Sequence, residues 1–445
     1  MGQRARILTE IFGFRGWKVV DAFFEDEDRQ VVFPLRDFTL MPGVRLVLRV
    51  ERKWLPRCCR CGAACGAGGH EKLDTRRWAD LSWAGRPVQI EATPIRVKCK
   101  RCQAAPVEML AWADPQQRQS RRLQQHLALQ AASMPVLHVA VQFGLSWGTV
   151  RRAEGAALAR WQAGRLATPL ERAGLDEKWL GRRHKLEHKY VTIVSDLDTG
   201  EPLWIGPNRG EDTVKQWLAT QTKEQKAAIK LFAADMHEPF RAAIRGDPDL
   251  GHVAYVHDPF HLVKRANEAV TEMRRETFFR AGELRAVGRG TRWLVLRAWE
   301  RTTAKQQEEL RTLFSYNPRL GRAYQVVDEY REVLRAPDRD TMATGLARIL
   351  RRTQERQNVP LRKWHDSIRA HLPAILAFGE HRPPAGRIEA LNNNWETLVR
   401  RARGYRDHQY LLLKLRFMVV NPIRTEEGTK RFLALGLPPS MKNVA

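Results

Sequence analysis

The sequence predicts an α/β protein in which a mixed sheet with a large helical insertion follows a β-rich N-terminal region and a pair of helices joined by a tight turn. Three observations predict this class: all six cysteines are confined to residues 58–102, a helical pattern begins near residue 116, and alternating strands and helices begin near residue 175. A chain of 445 residues exceeds one ordinary domain. We therefore expect domains at 1–112, 113–168 and 169–445.

The charge of the chain favours a polyanionic partner. Lys and Arg number 76 against 50 Asp and Glu, a formal net charge of +26. Nucleic acid is the leading candidate, because cationic side chains displace counterions from phosphates, and an anionic membrane surface is the alternative. The apolar run Tyr410–Val420 is short of a membrane span and is interrupted by Lys414 and Arg416. The N-terminus has no apolar secretory core, so we expect a cytoplasmic protein without a membrane partner.

The N-terminal region reads as β-structure. Apolar residues alternate or cluster at 31–33, 44–50, 88–92 and 95–97, in short runs typical of strands. The region up to residue 112 is therefore predicted to be β-rich, with the cysteine segment inside it.

Two C-x-x-C pairs predict a metal site in this region. Each pair can direct two thiolates to one ion from a tight knuckle, and two pairs complete the tetrahedral set that zinc prefers. The expected ligands of one structural Zn²⁺ are Cys58, Cys61, Cys99 and Cys102. Cys59 and Cys65 are two further thiols in the same segment, so the spacing leaves more than one choice of four ligands open. The alternative is six free thiols in a reducing cytosol.

Residues 134–155 have the spacing of a helix-turn-helix. Ala140 is a small residue where two helices could cross, Gly144 could form the turn, Ser146 could cap the second helix, and Val150 could pack it onto the first. The outer face of the second helix, which would contact DNA, carries Trp147, Thr149, Arg151 and Arg152. An ordinary αα-hairpin is the alternative, and the net charge favours DNA binding.

The second half of the chain predicts three antiparallel strands followed by two parallel strands that alternate with helices. The first strand surrounds Asp176, and the others lie near 190–194, 202–205, 230–234 and 253–256. This is the strand order of an RNase H-like fold. A basic, almost entirely helical insertion at about 265–382 precedes a last long helix that begins near Arg387.

Three acidic residues occupy positions where this fold would bring carboxylates together. Asp176 lies in the first strand, Asp235 ends the fourth, and Glu389 begins the helix after the insertion. We expect them to bind two Mg²⁺ ions, or Mn²⁺, through oxygen and to catalyse phosphoryl transfer. The commoner role for any single Asp is a turn or a helix cap.

Four other acids compete for the same role. Asp196 and Asp198 flank a predicted hairpin and are expected to form its turn. Asp258 ends the fifth strand and could support the site without being part of it. Glu396 lies seven residues after Glu389 and can share its helix face, but Glu389 is preferred because it begins the helix and is followed by amides.

The helix that carries Glu389 also supplies candidate DNA contacts. Its amides could steady the carboxylate or touch DNA, and its basic residues could hold phosphates beside a cleavage site. These candidates are Asn392, Asn393, Arg400, Arg401, Arg403 and Arg406. The alternative for the arginines is a solvated basic face.

The order of these motifs resembles the ISL-three (ISL3) family of bacterial insertion-sequence transposases. The resemblance covers about residues 50–420 and rests on the two C-x-x-C pairs, the helix-turn-helix, the D-E pair at 176, D-M-H at 235, D-P-F-H at 258 and E-A-L-N-N at 389. Its most specific part runs from Glu389 to Arg406. The sequence departs from the family at Ala390, where a glycine is expected, and a helix should tolerate this change.

The resemblance implies a DDE transposase of an insertion sequence. Such an enzyme would bind the terminal inverted repeats, cleave phosphodiester bonds at the transposon ends and join them to target DNA, with Asp176, Asp235 and Glu389 as catalytic residues. Its partner would be double-stranded DNA, bound by a homodimer associated with the bacterial nucleoid. Two alternatives are a catalytically inactive, transposase-derived DNA-binding regulator and an RNase H-like structure-specific nuclease.

Overall fold

In the computed structural model, the described part of the chain comprises residues 3–14, 16–32, 43–66, 68, 70–83, 85–114, 116–166, 168–180, 189–280, 285–354, 358–402 and 405–436. The chain divides into two units. The first spans Met1–Leu166, Arg401–Arg403 and Val420–Ala445, and the second spans Ala167–Arg400 and Gly404–Val419. Among the described residues, no helix combines the length and the apolar character that a membrane span needs.

The first unit begins with a helix and a five-stranded sheet and continues with three helices. The elements in chain order are α1 (Gln3–Phe12), β1 (Trp17–Glu25), β2 (Val31–Val32), β3 (Arg45–Arg52), β4 (Glu71–Lys72), β5 (Arg76–Trp83), β6 (Arg86–Ala92), β7 (Ile95–Arg96), α2 (Arg121–Ala131), α3 (Val136–Gln142) and α4 (Trp147–Ala163). The sheet order is β2-β1-β3-β6-β5, and only β3 and β6 run parallel. The predicted β-rich character is confirmed, although Phe33 lies outside the described residues.

Three tryptophan rings pack together in the core beside the sheet of the first unit. The rings of Trp17 and Trp78 contact Trp112 edge-on, at centroid distances of 4.8 and 5.7 Å. The sequence did not predict α1 or β5. Strand β5 is hard to recognise because it buries a charge: Asp80 is 4% exposed, accepts a hydrogen bond from Ser120 and pairs with Arg122.

The second unit is built on another five-stranded sheet. Its elements are β8 (Arg172–Trp179), β9 (Tyr190–Asp196), β10 (Pro202–Pro207), α5 (Glu211–Leu218), α6 (Lys223–Ala228), β11 (Leu231–Ala234), α7 (Glu238–Arg245), β12 (Ala254–His257), α8 (Pro259–Arg275), α9 (Arg285–Gly288), α10 (Ala304–Tyr316), α11 (Pro318–Leu334), α12 (Arg339–Arg352), α13 (Val359–His381), α14 (Gly386–Ala402) and α15 (His408–Val420). The order β10-β9-β8-β11-β12, with the first three strands antiparallel and the last two parallel to β8, confirms the predicted strand order.

The two faces of the second sheet have different coverings. Leu175 and Phe232 point to one face, where Trp217 of α5 and Phe240 of α7 pack on them. On the opposite face, Ile193 packs with side chains of α14 and α15, while β11 and β12 pack on the helices between α8 and α13. The predicted helical insertion thus supplies much of the core on the face that also carries α14.

A final helix, α16 (Glu426–Ala434), belongs to the first unit. The side chain of Gln125 in α2 is buried and donates a 2.6 Å hydrogen bond to the carbonyl oxygen of Phe432. The expected domain at 169–445 includes this helix, which contacts α2 in the structure.

Candidate active site and metal centre

Asp176 lies in the central strand of the second sheet and faces α14. Strand alternation sets this direction, because Leu175 points to the α5 and α7 side and the next side chain points the opposite way. Its partner in β9 is Ile193, which packs against α14. Asp176 is 7% exposed, so this carboxylate is largely removed from water.

Asp235 follows β11 directly and comes level with Asp176. Ala234 pairs with Leu175 in the parallel ladder, so the next residue on each strand is an Asp. Neighbouring strands are about 4.8 Å apart, which makes the two acids neighbours at this edge. The carboxyl ends of parallel strands are a common ligand site, and the structure brings these two predicted residues together there.

The two aspartates are held in the same manner. Oδ1 of Asp176 accepts a 2.8 Å hydrogen bond from the backbone N–H of Glu177, and Oδ1 of Asp235 accepts one of 2.6 Å from Met236. Oδ2 of Asp176 is buried without a well-directed hydrogen bond and lies 3.0 Å from Nζ of Lys178. A buried carboxylate oxygen in this state is costly unless a cation is close, and the Lys178 ammonium supplies one. Two carboxylates at one edge of the sheet also offer the oxygen ligands that hard cations prefer.

His261 connects these acids to Asp258. Its Nδ1 lies 3.0 Å from Oδ2 of Asp258, and its Nε2 lies 3.8 Å from Oδ2 of Asp235. Burial alone would lower the pKa of His261, but the hydrogen bond to Asp258 and the charges of Asp235, Asp258 and Asp176 outweigh it and raise the pKa. Asp258 also caps α8 by accepting a hydrogen bond from Phe260 N at 3.0 Å.

Glu389 lies in the first turn of α14 and is exposed to solvent. Its neighbour Ile388 is buried and approaches Gly174, two residues before Asp176 on the same sheet face. A Cβ at position 174 would lie 3.4 Å from Ile388 and 2.8 Å from Leu197, so glycine permits this close approach. The start of α14 thus lies near β8 on the face of Asp176.

The three acids do not form a closed ligand set. Among the described residues, only a group of four cysteines brings three or more His, Cys, Asp or Glu ligand atoms within 4.8 Å of one another. Ligand atoms of Asp176, Asp235 and Glu389 therefore do not all lie within 4.8 Å of one another. Its role as the third acid stays a prediction.

The competing acids have structural partners. Asp196 accepts hydrogen bonds from Asp198 N at 2.7 Å and from the Thr199 hydroxyl at 2.8 Å, as expected of a turn former. Glu396 is exposed and pairs with Arg400 at 2.8 Å.

The polar residues of α14 differ in their surroundings. Asn392 has a buried Oδ1 without a hydrogen-bond partner, whereas Asn393 is exposed. Arg406 is also exposed, but it follows α14, which ends at Ala402. Arg401 is exposed and donates a hydrogen bond of 3.1 Å to the carbonyl oxygen of Ala132 within the first unit. Arg403 lies outside the described residues.

Arg209 is a neighbour of the acids that the sequence did not reveal. Its guanidinium lies 4.1 Å from the ring centre of Tyr190 and donates a 3.0 Å hydrogen bond to Glu177, the residue after Asp176. Its carbonyl oxygen lies 2.7 Å from Nε2 of His237, two residues after Asp235. The loop after β10 therefore contacts the segments that follow both aspartates. A lone Arg in a loop gives no sequence signal of this role.

The four cysteines of the C-x-x-C pairs come together in the first unit. The sulfurs of Cys58 and Cys102 are 3.6 Å apart, and those of Cys61 and Cys99 are 3.5 Å apart. Four thiolates at about 2.3 Å from one tetrahedral Zn²⁺ would be about 3.8 Å from each other, so the spacing fits. This cluster could hold a metal ion such as zinc.

The pKa values of the clustered thiols move in opposite directions. Hydrogen bonding from the backbone N–H of Cys102 is the main cause that lowers the pKa of Cys99, to about 6, whereas burial is the main cause that raises the pKa of Cys102, to about 12. Cys59 and Cys65 are not among the four grouped sulfurs, and burial raises the pKa of each. Cys65 instead directs its thiol to the carbonyl oxygen of Ala63 at 3.7 Å.

The predicted helix-turn-helix is formed by α3 and α4, with α2 behind them. Ala140 and Val150 are buried in one apolar cluster, and Gly144 turns the chain with φ of 61°. Ser146 caps α4 by accepting a 3.1 Å hydrogen bond from Thr149 N. Each of these local predictions is confirmed.

The outer face of α4 carries the predicted contact residues. Trp147 is 52% exposed, Arg152 is exposed, and Thr149 and Arg151 are half-buried. The Thr149 hydroxyl is 2.9 Å from that of Ser146. An exposed tryptophan and arginine at the start of the second helix fit a surface that docks on a polyanion.

Comparisons with known proteins agree with this architecture. Residues 173–415 match a family described as a transposase, and residues 108–153 match the helix-turn-helix domain of transposase family ISL3. The chain is 28% identical over 366 residues to the transposase for insertion sequence element IS1001 of Bordetella parapertussis, covering 81% of this chain and 87% of the relative. It is 27% identical over 411 residues to that for IS1557 of Mycobacterium tuberculosis, covering 83% and 87%. The family match spans more than half of the sequence, and the chain belongs to the ISL3 family of transposases.

Proposed function

We propose that this chain is an active insertion-sequence transposase that binds the terminal inverted repeats, cleaves phosphodiester bonds at the ends and joins them to target DNA. The observation that carries the proposal is the side-by-side arrangement of Asp176 and Asp235, whose Oδ1 atoms are fixed by backbone N–H groups. We also propose that the catalytic unit is RNase H-like, which the strand order supports.

We infer that Asp176, Asp235 and Glu389 hold two Mg²⁺ or Mn²⁺ ions. When bound, hard cations activate a water or 3′-hydroxyl and stabilise the leaving oxygen. The chain's own residues fix the two aspartates through backbone N–H groups, pair Oδ2 of Asp176 with Lys178 at 3.0 Å, and present Glu389 from the first turn of α14. Because Glu389 is exposed, we expect substrate and cations together to complete the site.

The first unit is proposed to select the DNA. The helix-turn-helix at 113–168 would dock α4 in a groove, with Trp147, Thr149, Arg151 and Arg152 toward the duplex. The β-rich region at 1–112 would be stabilised by one Zn²⁺ on the four cysteines. Arg400, Arg401, Arg403 and Arg406, with Asn392 and Asn393, are proposed to contact phosphates near the cut.

The test is a strand-transfer assay with the protein's own flanking genomic ends, target plasmid and Mg²⁺. Joined products that disappear when Mg²⁺ is omitted are the expected result. Cutting without joining would identify a nuclease, and binding without cutting would identify a regulator. Cutting a pair of ends requires holding both, so we expect a dimer on end DNA; a monomeric complex by light scattering would contradict that part.

A further inference from the structure

An exposed aromatic ring stands beside the acidic site of the second unit. Phe260 is 55% exposed in the first turn of α8, where Asp258 accepts a hydrogen bond from its backbone N–H. Its ring centre lies 5.6 Å from that of His261, whose Nε2 lies 3.8 Å from Asp235. The apolar ring is therefore held at the rim of the carboxylate cluster and faces solvent.

A groove continues from this ring along one face of α8. It has a volume of about 410 Å³, which is in the range of ligand sites. Phe260, Val263, Lys264, Asn267 and Arg275 line it at helical spacing, so they share one face. The separation of 15 residues between the first and the last of these corresponds to about 22 Å of helix.

The groove combines apolar, cationic and acidic side chains. Its three cations, Lys264, Arg275 and Arg292, outnumber its two acids, Glu268 and Glu272, and Arg275 pairs with Glu272 at 3.4 Å. Phe260 and Val263 form its apolar end, next to the acidic site, while Lys264 is exposed one turn further on. Arg292 lines the opposite wall, with its guanidinium 5.1 Å from the ring centre of Trp293. A flat ring beside a surface on which cations are in excess matches a nucleic-acid strand, whose bases stack and whose phosphates carry charge.

We propose that this groove binds an unpaired stretch of the substrate DNA beside the cut phosphate, with Phe260 stacking on one base. The inference rests on the proposed function for the nature of the substrate. A base within a duplex has both faces covered by its neighbours, so stacking on Phe260 requires a base that is frayed or extruded. Lys264 and Arg292 would contact the phosphates of the same strand.

The test measures binding rather than cutting, without added Mg²⁺. A fluorescent duplex is compared with the same duplex carrying a single-stranded 3′ extension of about six thymidines, within the site size of such grooves. Phe260→Ala should weaken binding of the extended duplex by about 5- to 150-fold and leave the blunt duplex unchanged. Phe260→Tyr should retain the affinity, and Phe260→Leu, which is apolar but not flat, should not.

Two further variants separate the causes. Tyr316→Ala, which removes another exposed aromatic residue outside the groove, should leave both affinities unchanged. Replacing both Lys264 and Arg292 with Ala should lower the salt slope for the extension by about 1.4. The proposal would be overturned if Phe260→Ala bound the blunt and the extended duplex with the same affinities as the unsubstituted protein. If Phe260→Ala lost only self-association and kept its DNA affinity, the groove would bind a second copy of the chain, and the proposal would also be overturned.

The result of the binding test is independent of whether the protein cuts and joins DNA. If stacking occurs but strand transfer never does, the proposed function fails and the groove assignment stands. If strand transfer occurs and Phe260 adds nothing to the affinity for the extended duplex, the groove assignment fails and the proposed function stands.

Discussion

Each of the two units of this chain contains a candidate metal site. The two sites differ in whether the protein brings all the ligands together. The cysteine site of the first unit is complete, with four sulfurs within 4.8 Å of one another. The acid site of the second unit has two neighbouring aspartates and a third acid that is exposed on a helix. A structural ion needs all its ligands from the protein, whereas a catalytic site must leave positions for the substrate.

The largest expected effect comes from neutralising one acid of the site in the second unit. Asp176→Asn, Asp235→Asn and Glu389→Gln each keep the size and hydrogen bonding of the side chain but weaken cation binding. We expect cleavage and strand transfer to fall by several orders of magnitude while affinity for transposon-end DNA stays the same, as measured by gel assays of products and complexes.

The matched control for the third acid is Glu396→Gln, an exposed position on the same helix. It should cut nearly normally. If Glu396→Gln is inactive and Glu389→Gln cuts, the third acid is misassigned although the enzyme class stands. Normal cutting by all three main variants would refute the DDE mechanism.

The next effect tests whether the closed site is structural. Cys99→Ser should lose bound zinc and unfold the first unit at lower temperature, because the binding energy of such an ion contributes to folding. Cys59→Ser, outside the grouped sulfurs, is the control and should keep the metal. Elemental analysis of the parent protein that finds less than about half an equivalent of zinc would contradict the site.

The residues of these two sites could be predicted from the sequence to different extents. Each C-x-x-C pair could be identified from its spacing, because the thiolates of one knuckle are close to each other before any long-range folding. That the four sulfurs exclude Cys59 and Cys65 depends on how the two knuckles pack. Asp176 and Asp235 could be found because strand alternation and parallel pairing bring strand ends together. The exposure of Glu389 could not be predicted, since it depends on how α14 packs over Gly174.

Other residues were missed for similar reasons. Arg209 reaches the site only because its loop follows β10, an element distant in sequence from β11. Strand β5 carries a buried Asp80 whose partner, Arg122, is in another element, so hydropathy alone misreads it.

A smaller effect should separate DNA affinity in the first unit from chemistry in the second. Replacing both Arg151 and Arg152 with Ala should weaken end binding and lower the salt slope by up to about 1.8, because each phosphate contact contributes to that slope. The matched double variant removes Lys430 and Arg431, exposed cations of α16 that pair with glutamates. Unchanged affinity and slope in the Arg151 and Arg152 variant would mean that the hairpin is only structural.

The smallest effect concerns the support of the acid site. Asp258→Asn keeps a good helix cap but removes the charge beside His261, so cleavage should fall less than in Asp235→Asn and the melting temperature should hold. Asp258→Ala also removes the cap and should cost about 1 kcal/mol of unfolding free energy by denaturant titration. Equal stability of the two variants would show that the cap contributes nothing.

The contact between Gln125 and Phe432 has a consequence for synthesis. The two residues lie in one unit, yet the ribosome makes the second roughly 300 residues after the first, which at about 5–20 residues per second takes tens of seconds. In a nascent chain, Nε2 of Gln125 therefore lacks this acceptor until nearly all of the second unit has emerged. A chain that stops before Glu426 would keep both predicted sites but lack the helix that packs on α2, so premature termination would affect the packing of the first unit.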